Sequence, residues 1–314
     1  MKLGIVGSGK VVDMVLSAGV QEVVEVPLLY CRNEEKGRLL QMNYGMEIGH
    51  DYDAFLATKQ IDTVYIGLPN ALHYEFAKKA LLAHKNVILE KPFTSTLEQA
   101  KELIDLAKQA KHFLFEAILT RYSTHLEELK NALKEIGHIQ TVCLDFQQRS
   151  SRYDAYLNHE VAPTFNPKLD GGALMDINIY NVHFAIQLWG KPRSYRYEKE
   201  IGWNGIDVRG IVYLEYPDFI VECIGSKKND VPPCQKITGQ FGSIEIEHRP
   251  GDLHEIHIKK DGIEEVVGKE AENIFRNEFS QIQKVIDAKN FEQSGEWLKD
   301  SLNVMEVIEK LRHS

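Results

Sequence analysis

Nowhere in its 314 residues does this chain hold an apolar run of the roughly 18 residues that a membrane-spanning helix needs. Cysteine is scarce: Cys31, Cys143, Cys223 and Cys234 share no metal-ligand spacing, so reduced, packed thiols are expected and a cysteine-based metal site is not. Basic residues are in deficit as well. The 37 lysines and arginines stand against 46 aspartates and glutamates, and the net charge of -9 disfavours nucleic acid and anionic membranes as partners, although one phosphate can still be held in a local basic pocket. Low-complexity tracts and internal repeats are missing, and 43% hydrophobic with 26% charged residues is the balance of a folded globular protein. The first apolar run starts next to Lys2, which leaves no room for a signal peptide ahead of it; the expected location is cytoplasmic.

What is present is length and a regular alternation. A chain of this size suits two domains and can bury about 75% of its unfolded surface. From Lys2 to about Ala117, the apolar runs Leu3 to Val6, Val24 to Tyr30, Thr63 to Ile66, Val87 to Leu89 and Phe113 to Phe115 alternate with helical patterns such as Tyr74 to Ala83 and Leu97 to Ala110. This order predicts an α/β domain over residues 1–120, a parallel sheet covered by helices on both faces.

After a helix expected from His125 to Ile136 the pattern changes. Segments 141–148, 208–215, 220–225, 237–240, 243–247 and 255–258 read as strands, with turns at Pro217-Asp218, Pro232-Pro233, Gly242, Pro250-Gly251 and Asp261-Gly262. An α+β domain with a mainly antiparallel sheet is expected over 121–314. Helical patterns from about Lys269 to Ala288 and Gly295 to Leu311 close it.

Gly7-Ser8-Gly9-Lys10-Val11-Val12 follows the first strand and enters a helix, so its glycines suit a tight turn and the approach of a pyrophosphate to the helix N-terminus. The third glycine of the G-x-G-x-x-G pattern is replaced by Val12, and glycine at such a junction also has a purely structural use. The second strand ends in Tyr30-Cys31-Arg32-Asn33, with no carboxylate before Glu34 to take a ribose 2′-hydroxyl. Arg32 therefore favours NADP over NAD, unless it is only a solvated loop charge.

Three further segments carry a resemblance. Leu68-Pro69-Asn70-Ala71-Leu72-His73 follows the next strand, Glu90-Lys91-Pro92 the one after, and the run from Asp170 through Gly171-Gly172-Ala173-Leu174-Met175-Asp176 to Tyr180 and His183 lies in the second half. With the Gly-rich turn, these resemble the glucose-fructose oxidoreductase, inositol dehydrogenase and rhizopine catabolism (Gfo/Idh/MocA) family, and within it the dimeric dihydrodiol dehydrogenase and xylose dehydrogenase branch. The resemblance implies a Rossmann domain followed by an open antiparallel sheet that forms a homodimer or homotetramer. It also implies that Gly7, Ser8, Gly9, Lys10, Val11, Arg32, Leu68, Pro69, Asn70, His73, Glu90 and Lys91 meet the cofactor. Departures from the family pattern fall at Val12 for Gly or Ala, at Asn178 for Gly and at Thr124 for Pro.

Asp176, Tyr180 and His183 are spaced by four and seven positions, so one continuous helix presents all three on one face. As ordinary packing residues they would be two satisfied core hydrogen-bonders and a buried aromatic. Joined with Lys91, they read as a site for oxidising a carbinol by hydride transfer, with Tyr180 the proton acceptor, Lys91 lowering its pKa, and Asp176 positioning Lys91 or the substrate hydroxyl. His183 is read as a substrate contact and second choice for the base. Arg149 and Arg152 are loop charges that either hold a substrate or face solvent. His254 and His257 fall on opposite faces of a strand and make no metal pair, and no metal is expected.

The function expected is thus NAD(P)-dependent hydride transfer on a sugar, polyol or cyclic diol. The alternatives are a non-catalytic NADP-binding regulator, an NAD-dependent glycosidase, and a biliverdin-reductase-like enzyme. The isomer of the Lys91–Pro92 bond is not fixed by the sequence.

Overall fold

A computed structural model describes residues 1–313. The chain forms two compact units, Met1–Ala117 with Phe275–Leu302, and Ile118–Ile274 with Asn303–Ser314. The sequence-based boundary at 120 runs the second domain to the C-terminus without interruption, whereas by compactness 275–302 belongs with the first unit.

The first unit contains β1 (Lys2–Val6), α1 (Lys10–Ser17), β2 (Glu25–Tyr30), α2 (Glu34–Tyr44), β3 (Glu47–Gly49), α3 (Tyr52–Ala57), β4 (Thr63–Ile66), α4 (His73–Leu82), β5 (Asn86–Glu90), α5 (Leu97–Ala110) and β6 (Leu114–Ala117). All six strands are parallel, in the order β3-β2-β1-β4-β5-β6. That order places a topological switch point between β1 and β4, where ligands of such sheets bind beyond the strand ends. β4 and β6 are buried at every position, Thr63 and Glu116 included, as befits strands covered on both sides. Helix starts follow local chemistry. Asn33, Asp51 and Thr96 each accept a backbone N–H from the first turn of α2, α3 and α5.

The second unit contains α6 (Leu126–Glu135), β7 (Ile139–Gln147), α7 (Tyr153–Leu157), α8 (Ile179–Trp189), β8 (Ser194–Ile201), β9 (Asp207–Glu215), β10 (Ile220–Ser226), β11 (Val231–Gly239), β12 (Gly242–Ile246), β13 (Ile256–Lys260) and β14 (Ile263–Val267). The chain ends in α9 (Ile274–Asp287) and α10 (Phe291–His313). The eight strands run β14-β13-β12-β11-β7-β10-β9-β8, antiparallel except for the parallel pair β7 and β10. One face carries the core, including Leu144, Val212, Leu214, Val221, Ile237 and Ile244, packed against α6, α8 and the end of α10.

The expected α/β and α+β architecture is present, but three edge strands escape a reading by apolar pattern. β3 has three residues, β14 is largely exposed, and β8 (Ser-Tyr-Arg-Tyr-Glu-Lys-Glu-Ile) carries charge along an edge. Pro232-Pro233, read as a turn, lies at the start of β11, where a register shift between Val231 and Cys234 excuses the missing donors.

Each departure from the family pattern has a matching local solution. Val12 packs fully buried, and a Cβ at Gly67, just past β4, would stand 2.8 Å from its methyl, so the space of the missing third glycine is supplied from the opposite strand. Thr124 gives its backbone N–H to Glu272 at 2.7 Å, a bond no proline can make, and its hydroxyl binds the same carboxylate. Asn178 is fully buried, with its amide donating to Cys223 O at 2.9 Å and its carbonyl accepting from Asn181 at 2.9 Å. Opposite it, a Cβ at Gly225 on β10 would fall 2.6 Å from the Asn178 side chain. Gly225→Ala is therefore expected to cost about 1–3 kcal/mol by overpacking. Urea unfolding of Gly225→Ala, Asn178→Gly and the double variant checks this: the pair should be non-additive, and strict additivity would show the two sites uncoupled.

Candidate active site

In the first unit, the Gly-rich turn is shaped by backbone demands. Gly7 has φ +117°, and a Cβ there would lie 2.4 Å from Gly67 O, so only glycine fits. Its N–H donates to Tyr30 O at 2.9 Å, and Gly67 N–H donates to Val6 O at 2.9 Å, tying the ends of β2, β1 and β4 together. Gly9, the N-cap of α1, differs. It is exposed, a Cβ there would meet nothing within 4 Å, and no side chain caps the helix, so the first-turn N–H groups of Lys10 and Val11 suit an anion. Beyond β2, Arg32 is exposed and Glu34 begins α2, leaving no carboxylate at the strand tip. These residues fit a dinucleotide whose ribose carries a 2′-phosphate.

At the other side of the switch point, Leu68, Pro69 and Asn70 lead into α4 as a half-buried loop. His73 is fully buried. Its Nδ1 lies 2.8 Å from Pro92 O and its Nε2 lies 2.9 Å from Leu68 O. Burial lowers its pKa, against the raising effect of those two carbonyls. A neutral imidazole has one N–H, so it serves one carbonyl as donor at a time. His73 thus lies between the Leu68 loop and the Lys91-Pro92 turn, donating to one of the two carbonyls. The Lys91–Pro92 peptide is cis.

Glu90 points into the protein interior. Tyr65 donates its hydroxyl to Glu90 Oε1 at 2.6 Å. Burial pushes the Glu90 carboxyl up to about 7, partly offset by the Tyr65 bond and by Lys91, with Glu116 adding to the rise. Glu278 on α9 is also fully buried and is held well above the usual carboxylate range by burial and by Glu90. Tyr65 also packs edge-on against Phe279 of α9 at 5.4 Å, so this face of β4 and β5 holds a closed acid cluster.

In the second unit, the segment from Leu174 to Asn178 forms a π-helical turn that leads directly into α8. One uninterrupted α-helix was expected here, and the wider turn breaks the four-residue register between Asp176 and Tyr180. The Gly171-Gly172 pair is forced by close approach. Gly172 has φ +112° and faces the Asp207 carboxylate, and a Cβ at Gly171 would lie 2.7 Å from Thr164 O. Asp207 accepts the Leu174 N–H and the Tyr197 hydroxyl, each at 2.7 Å, and so fixes the start of the turn.

Asp176 is held by a residue that the sequence reading missed. The Lys227 ammonium, 1% exposed, forms an ion pair with Asp176 Oδ2 and also contacts the Thr164 hydroxyl, which itself donates to Asp176 Oδ2 at 2.9 Å. Lys227 directly follows β10. A lysine where an apolar strand runs out was the signal that singled out Lys91, and the same signal stood at Lys227. Tyr180 is half-buried with its ring edge-on to Phe146 at 5.9 Å, and His183 is fully buried on α8. Arg149 is committed to structure: its guanidinium bonds Asp154 at 2.7 Å and Lys228 O at 2.8 Å. Arg152 is exposed.

The raised Glu90 pKa has a stability consequence. The folded state keeps the proton up to about pH 7, whereas the unfolded carboxyl releases it near 4.5. Stability is therefore lost as pH rises through that window, by up to about 3 kcal/mol. Glu90→Gln cannot ionise and is expected to match the parent near pH 4 and exceed it near pH 8. Urea unfolding at both pH values measures the difference, and parallel pH profiles would exclude a buried, protonated Glu90.

Comparison with known proteins bears directly on this arrangement. The family model described as "Oxidoreductase family, NAD-binding Rossmann fold" matches residues 1–118. An uncharacterized oxidoreductase of Escherichia coli is 34% identical over 70% of this chain and 67% of its own. The NADP-dependent scyllo-inositol 2-dehydrogenase of Bacillus subtilis is 29% identical over 99% of this chain and 96% of its own. Among solved structures, a 3-ketoreductase from Actinomadura kijaniata in complex with NADP and TDP-benzene superposes with a TM-score of 0.89, covering 100% of this chain and 97% of that one; at 20% identity it supports the fold alone. A Rossmann sheet matched by the family model, a relative 34% identical over two thirds of its length and the shared two-sheet fold have one reading: this chain is a member of the Gfo/Idh/MocA family of NAD(P)-dependent oxidoreductases.

Proposed function

We propose that this enzyme moves a hydride between NADP and the carbinol or carbonyl carbon of a sugar, polyol or cyclic diol, with Lys91, Asp176 and Tyr180 carrying the proton chemistry. The observation that carries the reading is the π turn at Leu174–Asn178. It fixes Asp176 by an ion pair to a buried lysine and opens the helix that bears the half-buried Tyr180 phenol. Preference for NADP is supported by the bare Arg32 tip of β2 and by relatives whose names specify that cofactor, the scyllo-inositol dehydrogenase and a D-xylose 1-dehydrogenase of Hypocrea jecorina.

When bound, the nicotinamide supplies the site that gives or takes the hydride. The chain's own part is the proton. In oxidation the substrate O–H bond breaks, its proton passes to the Tyr180 oxygen, and the carbon–oxygen double bond forms as the hydride leaves carbon. In reduction the Tyr180 O–H returns that proton to the alkoxide. A free phenol has a pKa of about 10, so work near neutrality calls for a shift of about three units, or on the order of 4 kcal/mol. An ammonium such as Lys91 beside the phenolate lowers that cost. Asp176, tied through Oδ2 to Lys227 and Thr164, serves as a fixed acceptor for a substrate hydroxyl.

The expected result for Tyr180→Phe is a fall in kcat of at least about a hundredfold, with NADPH affinity unchanged. Turnover of the parent with NAD and NADP against aldoses, polyols and cyclic diols should show net cofactor reduction or oxidation, faster with NADP. Full activity of Tyr180→Phe would remove the proton role. Tightly held cofactor without net turnover would favour the glycosidase, and NADPH binding without any redox activity would favour the regulator.

We further infer a homodimer through the open face of the second sheet. On β9, Arg209, Ile211 and Tyr213 lie half-exposed opposite the buried Val208, Val212 and Leu214, and Arg196 stacks on Tyr213 at 3.5 Å. Light scattering should give the mass of two chains, and Ile211→Glu should shift it toward one. A parent that is monomeric at working concentration would refute the inference.

A further inference from the structure

We propose that the loop joining β12 to β13 binds a divalent transition-metal ion, with zinc the best chemical match, through His248, His254 and Glu255. One donor atom from each of the three lies within 4.8 Å of the others. Two neutral imidazoles and one carboxylate are the donor types of a three-ligand zinc site that keeps a position for water. The His248 and His254 rings stack at 3.6 Å, tilted by 24°, and His248 Nε2 lies 3.6 Å from Glu255 Oε2. Binding an ion at about 2.1 Å from each donor calls for the two stacked rings to rotate apart so that both nitrogens face it.

A fourth residue argues that the cluster is more than adjacent polar groups. The Nδ1 of His254 lies 2.9 Å from Asp252 Oδ1. A carboxylate on one ring nitrogen holds the proton there and leaves the lone pair of the other nitrogen, Nε2, for a metal; this second-tier contact accompanies ligating histidines generally.

The loop is also braced. Gln235 donates its side-chain amide to His248 O at 3.1 Å, Asp252 N–H closes a turn onto Arg249 O at 2.9 Å, and Glu255 N–H donates to Gly268 O at 2.8 Å. Leu253, between the ligands, is fully buried. Glu255 itself sits at φ +49°, an uncommon conformation for a residue with a side chain and one that such bracing sustains. His248 and Asp252 also line a cavity of about 350 Å³.

From the sequence, His254 is weighed only against His257, and that pair is set aside as lying on opposite faces of a strand. His257 pairs with Glu264 at 2.9 Å, and the true neighbour of His254 is six residues upstream, across the Pro250-Gly251 turn. Neither a helical nor a strand period reveals that spacing.

The test uses the full-length, tag-free protein, stripped with EDTA and titrated with zinc chloride by calorimetry near neutral pH. One ion per chain is expected, with affinity at least tenfold weaker in His254→Ala and in Glu255→Gln, and about tenfold weaker in Asp252→Asn. Circular dichroism confirms that each variant is folded, and the exposed Glu255 position keeps the test open if a histidine variant is not. Cobalt substitution separates this site from the cysteines: the visible bands should appear without the near-ultraviolet charge transfer of a thiolate ligand. Absence of zinc binding, unchanged affinity in Glu255→Gln, or a thiolate signature overturns the proposal. None of these readouts depends on the catalytic reading.

Discussion

Close approach of backbone to side chain, with glycine on one partner, is the constraint on which both units depend. Gly7 lies against Gly67 O, Gly67 against Val12, Gly171 against Thr164 O, Gly172 against Asp207 and Gly225 against Asn178. At each contact a methyl group would fall under 3.0 Å from its neighbour. Interiors packed to crystal density do not absorb such an overlap without moving backbone. The dinucleotide turn, the π turn and the strand that faces it are therefore set by where side chains are missing. This also explains how the chain departs from the family pattern without losing the site. Val12 adds bulk where a glycine is usual and Gly67 takes it away on the opposite strand; Asn178 adds bulk and Gly225 answers it. Volume is kept for the contact, and the residue that supplies it changes.

A second regularity concerns buried charge. In the first unit, burial raises the carboxyl pKa of both Glu90 and Glu278, and Tyr65 donates to one Glu90 oxygen. In the second unit, Asp176 keeps a charged partner in the buried Lys227, and Thr164 bonds both. The two solutions differ in kind: burial disfavours the charged form of a carboxyl, whereas an ammonium partner favours it. Lys227 and Thr164 both bond Asp176 Oδ2 and so fix the position of that oxygen.

The fold was legible where burial is complete on both faces. β1, β4, β5 and β6 are mostly apolar and almost wholly buried, and α5 begins at a threonine cap and has buried positions at helical spacing. It was illegible at sheet edges, where β3, β8 and β14 answer to one neighbour and to solvent, and at Pro232-Pro233, which punctuates a strand at its bulge. In the site, residue types were readable and their local partners were not. Asp176 could be singled out from its motif, but Lys227 lies 51 positions away on a strand end. His73 was expected beside the cofactor, and the two carbonyls that meet its ring nitrogens, Pro92 O and Leu68 O, could not be read from its motif.

The lysine at a strand terminus is the more general lesson. A lysine flanked by an apolar run is pulled two ways: its stem can join the core while its ammonium needs a partner, and the strand end is the nearest place where carboxylates, carbonyls or a ligand are gathered. Lys85, just before β5, satisfies its ammonium with the Thr58 and Ile61 carbonyls at 2.8 and 2.7 Å and is structural. Lys227, just after β10, takes a carboxylate and a hydroxyl and shapes the site. Lys91 follows β5 at the edge where a parallel sheet receives its ligand. Position relative to the strand separates Lys85 from Lys227: ahead of β5 the Lys85 amine binds two loop carbonyls, and beyond β10 the Lys227 amine binds a carboxylate and a hydroxyl.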